Sequence, residues 1–209
     1  KICLKCQETQ QERDKKSKFM EILGKMIPLG DRENIIREKG FRFDPKILEL
    51  KGNVHFHGYW QSEKYFRSIR PIILEDFTSV HQLSRRNQKI LGEIERYNSV
   101  SVHARRGDYV VDPKTYEFHG VCGPDYYKRA FELIAEKVEN PVFYFFSDDI
   151  DWVKKNLSAS GGKNVYVDWN TGEQSYVDMQ LMSHCKHNIL ANSSFGWWGA
   201  WLNRNPDKI

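Results

Sequence analysis

The sequence predicts an α/β fold built around a parallel sheet, and three observations lead to it. Beyond Asn98 short β-rich runs alternate with amphipathic helical patterns, the order expected of βαβ units. Those runs end in polar clusters, as strands do when their carboxyl ends face a ligand crevice. Hydrophobic residues make up 40% and aromatic residues 13% of the 209 positions, enough to close a large core in one big domain or two small ones.

Residues 1–53 are charged and weakly patterned, with an amphipathic stretch around Phe19, Ile22, Leu23 and Met26 before Pro28, Gly30 and Gly40; they read as helix and loops. Lys1 to Lys18 carry few apolar residues, so the chain is expected to begin in the middle of a longer protein. From Val54 aromatic density rises, and His55 to Trp60 reads as a short strand running into a helical turn near Tyr65 and Phe66. Ile90, Leu91, Ile94 and Tyr97 fall at helical spacing, which predicts a helix over Ser84–Asn98. A first core strand follows over Ser99–Ala104, then a helix over Pro124–Val138 with Tyr127, Ala130, Phe131, Ile134 and Val138 on one face. Pro141–Phe146 is the second strand, Asp149–Leu157 a helix, and Val165 and Val167 mark the third strand. Glu173–Cys185 is a helix, and Asn188–Ala191 a fourth strand that enters a helix over Ser194–Leu202. On this reading residues 1–97 form a partial, mostly helical N-terminal region and residues 98–209 the core domain.

Composition narrows the function. Lys and Arg total 32 against 28 Asp and Glu, and a net charge of +4 is too mild for a nucleic-acid footprint; a basic stripe and a single-strand stacking motif are both missing, so no nucleic-acid partner is expected. The longest apolar run falls far short of the roughly 20 residues that cross a bilayer, and the chain reads as a soluble domain. Of four cysteines only Cys3 and Cys6 lie close together, and that pair lacks both the second pair of a zinc ribbon and the setting of a thioredoxin-like motif.

Four places carry chemistry. His103, Arg105, Arg106, Gly107 and Asp108 stand where the first core strand ends; two guanidiniums there suit an anion, since each offers a planar fork that matches a phosphate. A structural ion cluster with Asp108 and a neighbouring carboxylate is the alternative. An integrin-type reading of Arg106-Gly107-Asp108 conflicts with the buried strand it follows. Asn192, Ser193, Ser194 and Phe195 leave a strand and open a helix, which suits a phosphate at unpaired N–H groups or, more simply, a helix cap over core tryptophans. Asp178 lies at the edge of the apolar stripe formed by Val177, Leu181, Met182 and Cys185. It could accept paired N–H donors, such as guanine N1–H and its 2-amino group, or pair with Arg or Lys. Ser147, Asp148 and Asp149 could hold a divalent metal, or serve as a cap and first-turn acids.

Taken together, HARRGDYV at 103–110, GYWQSEKYF at 58–66 and DMQLMSHCKHNILANSSFGWWGAWL at 178–202 resemble the motifs of glycosyltransferase family 11, the α-1,2-fucosyltransferases, in the family's order and from about Val54 to Ile209. The Asn-Ser-Ser-Phe-Gly-Trp-Trp form is similar to the bacterial branch. The resemblance implies a GT-B-like fold with Rossmann-like halves, the sugar-nucleotide half nearly complete here. It also implies inverting transfer of L-fucose from GDP-β-L-fucose to the 2-hydroxyl of a galactose-terminated glycan, with no cofactor and no metal. It gives Arg105 the diphosphate, with Arg106 assisting; it gives His103 and Asp178 the guanine, and Asn192, Ser193, Ser194 and Phe195 the loop that closes on GDP. A cytoplasmic enzyme, or one peripheral to the inner membrane, is implied. Two departures stand out: the family's glycine-rich opening segment and the tail beyond Ile209 are absent, so the expectation is a fragment. Glu63 and Asp108 fit the role of general base poorly. Another nucleotide-sugar transferase on the same scaffold, or a silent GDP-binding module, remains the rival reading.

Overall fold

The computed structural model describes residues 34–78 and 81–209. The amphipathic stretch at 19–26 and the Cys3/Cys6 pair lie outside the described residues. The chain divides into two compact units, one ending at Asp76 and one running from Phe77 to Ile209.

In the first unit, β1 (Ile35–Arg37) pairs in parallel with β2 (His55–His57), Ile36 opposite Phe56. The turn after β2 is fastened by Glu38, whose Oε2 accepts N–H bonds from Tyr59 (2.7 Å) and Trp60 (3.0 Å). Phe43, Tyr65, Trp60 and Phe56 then form a chain of ring contacts 4.9–5.5 Å apart. A 3-10 turn over Pro45–Glu49, two more at 63–69 and α1 (Arg70–Asp76) complete the unit. Its described part is thus a parallel strand pair with short helical turns.

The second unit opens with α2 (Arg85–Arg96), capped by Ser84, whose Oγ accepts the Asn87 N–H. The sheet follows: β3 (Asn98–Ala104), then the short helices α3 (Gly107–Val111) and α4 (Pro113–His119), α5 (Pro124–Lys137), β4 (Pro141–Ser147), α6 (Ile150–Asn156), β5 (Lys163–Tyr166), α7 (Ser175–His184), β6 (His187–Ile189) and α8 (Ser194–Leu202). The order across the sheet is β5-β4-β3-β6, and every pairing is parallel. The strand alternation assigns the layers. Val100, Val102 and Ala104 of β3, with Phe143 and Phe145 of β4, pack against Tyr127, Phe131 and Ile134 of α5 and Val153 of α6. Val142, Tyr144 and Phe146 face the other way, toward Ile90 and Ile94 of α2 and Val177, Leu181 and Met182 of α7. Both faces are therefore covered, which is why β4 is apolar at nearly every position.

The α/β, parallel-sheet expectation is met, with element ends shifted by a few residues. Two features differ. Helix α2 lies beyond the boundary between the compact units, because Ile90 and Ile94 bury against β4 and α7, so the second unit starts at Phe77 rather than Asn98. The stretch after Arg106, to which the sequence reading assigns no element, contains α3 and α4. Asp112 caps α4 by accepting the Lys114 N–H at 3.2 Å, and Pro113 begins it. No helix among the described residues is long and apolar enough to cross a membrane.

Candidate functional site

Chain order fixes where a crevice must open. Strands β3, β4 and β5 progress outward in one direction, then the chain returns through α7 to place β6 on the opposite side of β3. The loops leaving β3 and β6 diverge at this switch point, and ligands of such sheets bind there, beyond the carboxyl ends. A cavity of about 350 Å³ occupies this place on the α7 side of the sheet. His103 enters it from β3, Arg105 from just beyond β3, Asp148 from just beyond β4, Asn170 from the loop after β5, Asp178 from α7 and Phe195 from the start of α8.

His103 is the last inward-pointing residue of the polar face of β3. It is 4% exposed, and its Nδ1 is buried with no hydrogen-bond partner among the described residues. Burial, and secondarily the Arg105 guanidinium, lowers its pKa to about 4, so the imidazole is neutral at physiological pH. The Phe195 ring sits 5.5 Å away. Gly196 lets α8 approach this closely: a Cβ there would stand 2.6 Å from Nδ1.

The two arginines diverge. Arg105 points to the cavity, with one terminal nitrogen 2.6 Å from Asp108 and the other 3.1 Å from Asp148. Arg106 turns away; its Nε donates to Asp149 at 3.0 Å and its guanidinium lies 3.7 Å over the Trp152 ring. The Arg106 backbone N–H donates to Asp148 at 2.9 Å, and Gly107 makes that possible, since a Cβ there would collide with the same carboxylate. Asp149 also caps α6 by accepting the Trp152 N–H. The acidic pair after β4 is thus engaged with guanidiniums and a helix start, and no group of three metal-type ligands gathers among the described residues.

Asp178 is more deeply buried than an edge position suggests, at 8% exposure. Burial pushes its carboxyl up to about 7, against a hydrogen bond from Asn170 that favours the charged form. Of its oxygens, Oδ1 receives that bond at 2.8 Å. Asn192, Ser193 and Ser194 stand outside the cavity lining. Asn192 Nδ2 donates to the His119 carbonyl at 2.7 Å, tying the β6 loop to the end of α4, and Ser193 occupies the cap position of α8 without a side-chain cap bond. Sequence reasoning missed Asn170, Asp168, Thr171 and Gly172, although the run Trp169-Asn170-Thr171-Gly172 follows a strand end and carries turn residues, a signal of the kind used elsewhere.

A doubly covered parallel sheet with a cavity at its switch point, lined by charged and polar side chains together with Phe146 and Phe195, defines a Rossmann-like α/β protein. Residues 35–207 match the model of Glycosyl transferase family 11. The chain is 42% identical over 153 residues to an alpha-1,2-colitosyltransferase of Escherichia coli (73% of this chain, 52% of that protein). It is 38% identical to the O-antigen biosynthesis glycosyltransferase WbnK of the same species (78% and 55%), and 30% identical to human galactoside alpha-(1,2)-fucosyltransferase 1 (69% and 42%). The chain belongs to glycosyl transferase family 11. It spans about half the length of these relatives.

Proposed function

We propose that this chain is the donor-binding half of a GT-B-like, inverting and metal-independent α-1,2-fucosyltransferase, which moves L-fucose from GDP-β-L-fucose to the 2-hydroxyl of a galactose-terminated glycan. The observation that supports it most is the convergence of His103, Arg105, Asp178 and Phe195 on one cavity at the sheet's switch point. The family's α-1,2-fucosyltransferases support the linkage and the sugar.

In this reading the guanine lies toward Asp178 and Phe195, and its N–H edge gives the buried carboxylate donors. The diphosphate lies toward Arg105. As the sugar–oxygen bond breaks, negative charge grows on the leaving diphosphate, and a guanidinium fixed in advance by Asp108 and Asp148 stabilises it without reorganising. Neutral His103 offers its uncharged ring to the base without repelling Arg105. Arg106 acts through the fold, holding the β4 loop, and Asn192 sets the β6 loop from which Ser193 and Ser194 present the first N–H groups of α8. The enzyme works in the cytoplasm of a bacterium, peripheral to the inner membrane.

A second reading is carried by the 42% relative: a colitosyl donor on the same scaffold. Calorimetric titration with GDP, UDP and ADP, with and without a chelator, tests the donor assignment. Selective GDP binding indifferent to chelator supports it, and equal binding of the three overturns it. Competition between GDP-fucose and nucleotide-linked colitose then separates the two sugars.

A further inference from the structure

Behind the cavity wall lies a buried chain of amides that the proposed chemistry does not use. Asn87 on α2 is 3% exposed and Asn170, in the loop after β5, is 9% exposed. They face each other as a reciprocal pair: Asn87 Nδ2 donates to Asn170 Oδ1 at 2.8 Å, and Asn170 Nδ2 donates back at 3.2 Å. The remaining donor of Asn170 goes to Asp178 Oδ1 at 2.8 Å. Asn87 Oδ1 is anchored from behind by the Trp169 indole N–H at 2.6 Å, and its backbone N–H is held by Ser84.

An amide has two N–H donors, and both of those on Asn170 are used within the protein. Although it lines the cavity, Asn170 has none left for a ligand. We infer that Asn170, supported by Asn87, is a positioning residue that orients the Asp178 carboxylate for recognition of a guanine edge. This rests on the reading above in which Asp178 meets guanine.

Two consequences follow from the hydrogen-bond count. A neutral carboxylic acid has one O–H donor and loses acceptor capacity, so only the charged form matches two N–H groups of a base. The bond from Asn170 opposes the burial that drives Asp178 toward neutrality, and without it the carboxyl would take up a proton at a still higher pH. The other charged groups facing the cavity do not imitate this. His103 is neutral above about pH 4, Asp168 is held below the usual carboxylate range by Lys154 at 2.6 Å with Arg86 beyond, and Arg105 and Asp148 face each other as an ion pair.

The test is GDP and UDP binding by this chain between about pH 6 and 8.5, for the parent, Asn170→Leu and Asn87→Ser. The titration of the diphosphate itself is common to all three proteins and cancels. Asn170→Leu is expected to weaken GDP about tenfold near pH 7, the effect of losing one bond to a charged group, with the gap closing to about twofold by pH 8.5 and UDP unaffected throughout. Asn87→Ser gives the same pH signature with smaller amplitude, and carries the test if the leucine variant does not unfold cooperatively. Losses equal for GDP and UDP, or a pH profile identical to the parent's, would make the amide pair merely structural and overturn the inference. A parent with no preference for GDP would instead strike the donor reading, and the inference with it.

Discussion

Replacing Asp178 by Asn should make the fold more stable at neutral pH while weakening nucleotide binding. In the unfolded chain this carboxyl ionises at its ordinary value of 3.8; in the fold it ionises only near 7, because it is buried. Below 3.8 both states hold the proton and the full stability is present. Between 3.8 and 7 the fold retains a proton that the unfolded chain has released, so stability falls as pH rises, and above 7 it is level. The interval is about three units at 1.36 kcal/mol each, or about 4 kcal/mol. Asn keeps the volume and the oxygen that accepts the Asn170 bond, and has nothing to ionise. Urea unfolding of both proteins at several pH values, followed by tryptophan fluorescence, reads the difference directly; the other titrating groups are shared and cancel. The Asn variant should match the parent near pH 4 and exceed it by about 2–4 kcal/mol at pH 8, the lower bound allowing for a weaker neutral hydrogen bond. GDP affinity should fall, since an amide cannot accept both guanine donors. Parallel stability curves, or a variant less stable than the parent at pH 8, would refute the placement of an unpaired carboxylate in this wall.

The remaining predictions concern the other walls. Arg105→Ala should weaken GDP by about 2–3 kcal/mol in a calorimetric titration, and equal binding by mutant and parent would remove Arg105 from the donor site. Arg106→Lys should lower stability by about 1 kcal/mol, through loss of the Trp152 stack and the Asp149 geometry, yet leave GDP affinity within about twofold; a larger loss of affinity would place Arg106 at the ligand. Gly196→Ala should destabilise by about 1–2 kcal/mol despite the better helix former, because its methyl meets the buried His103 ring at 2.6 Å. Gly199→Ala, whose methyl would meet Met182 Cβ and Cε at 3.0 Å rather than a ring at 2.6 Å, should destabilise less than Gly196→Ala, and the reverse order in urea unfolding would contradict the packing around His103.

Much of the second unit was legible because short β-rich runs alternate with helical patterns along the chain. The unbroken apolar run after Pro141 reads as the strand Pro141–Phe146, one residue short of the observed end. The boundary at Asn98 was misjudged for a physical reason: α2 shows the period of a helix, but periodicity does not say which core receives its apolar stripe, and Ile90 and Ile94 settle against β4. The arginines illustrate another limit. Both could be seen as anion binders or as ion-cluster members, and adjacent residues at a strand end point to opposite sides, so one enters the cavity and the other is sequestered on Trp152. Asp178 was recognisable from its neighbours on the helix, whereas Asn87 and Asn170 were not, since isolated amides 83 positions apart carry no local pattern.

The alternation in β3 explains why the cavity lies on one side of the sheet. Val100, Val102 and Ala104 face α5, while Ser99, Ser101 and His103 face the α7 layer. By alternation alone this is a half-exposed strand, yet both faces are buried, and its polar side survives because partners are built in. Ser99 Oγ accepts the Lys186 N–H at 3.1 Å, and Ser101 Oγ accepts from Asn188 at 2.7 Å, whose own oxygen takes a bond from Asn203. The series ends at His103, where the strand reaches the crevice and the next partner is missing. Asn87, Asn170 and Asp178 belong to this same layer, while the α5–α6 side is almost wholly apolar. An unsatisfied buried polar atom costs roughly 1–3 kcal/mol, and a buried carboxylate more, so such groups persist only where the rest of the sheet over-determines their positions. The apolar layer supplies that rigidity from behind. The sheet thus separates the two demands: α5 and α6 stabilise one face, and the other carries the polar groups whose missing partner a ligand can provide.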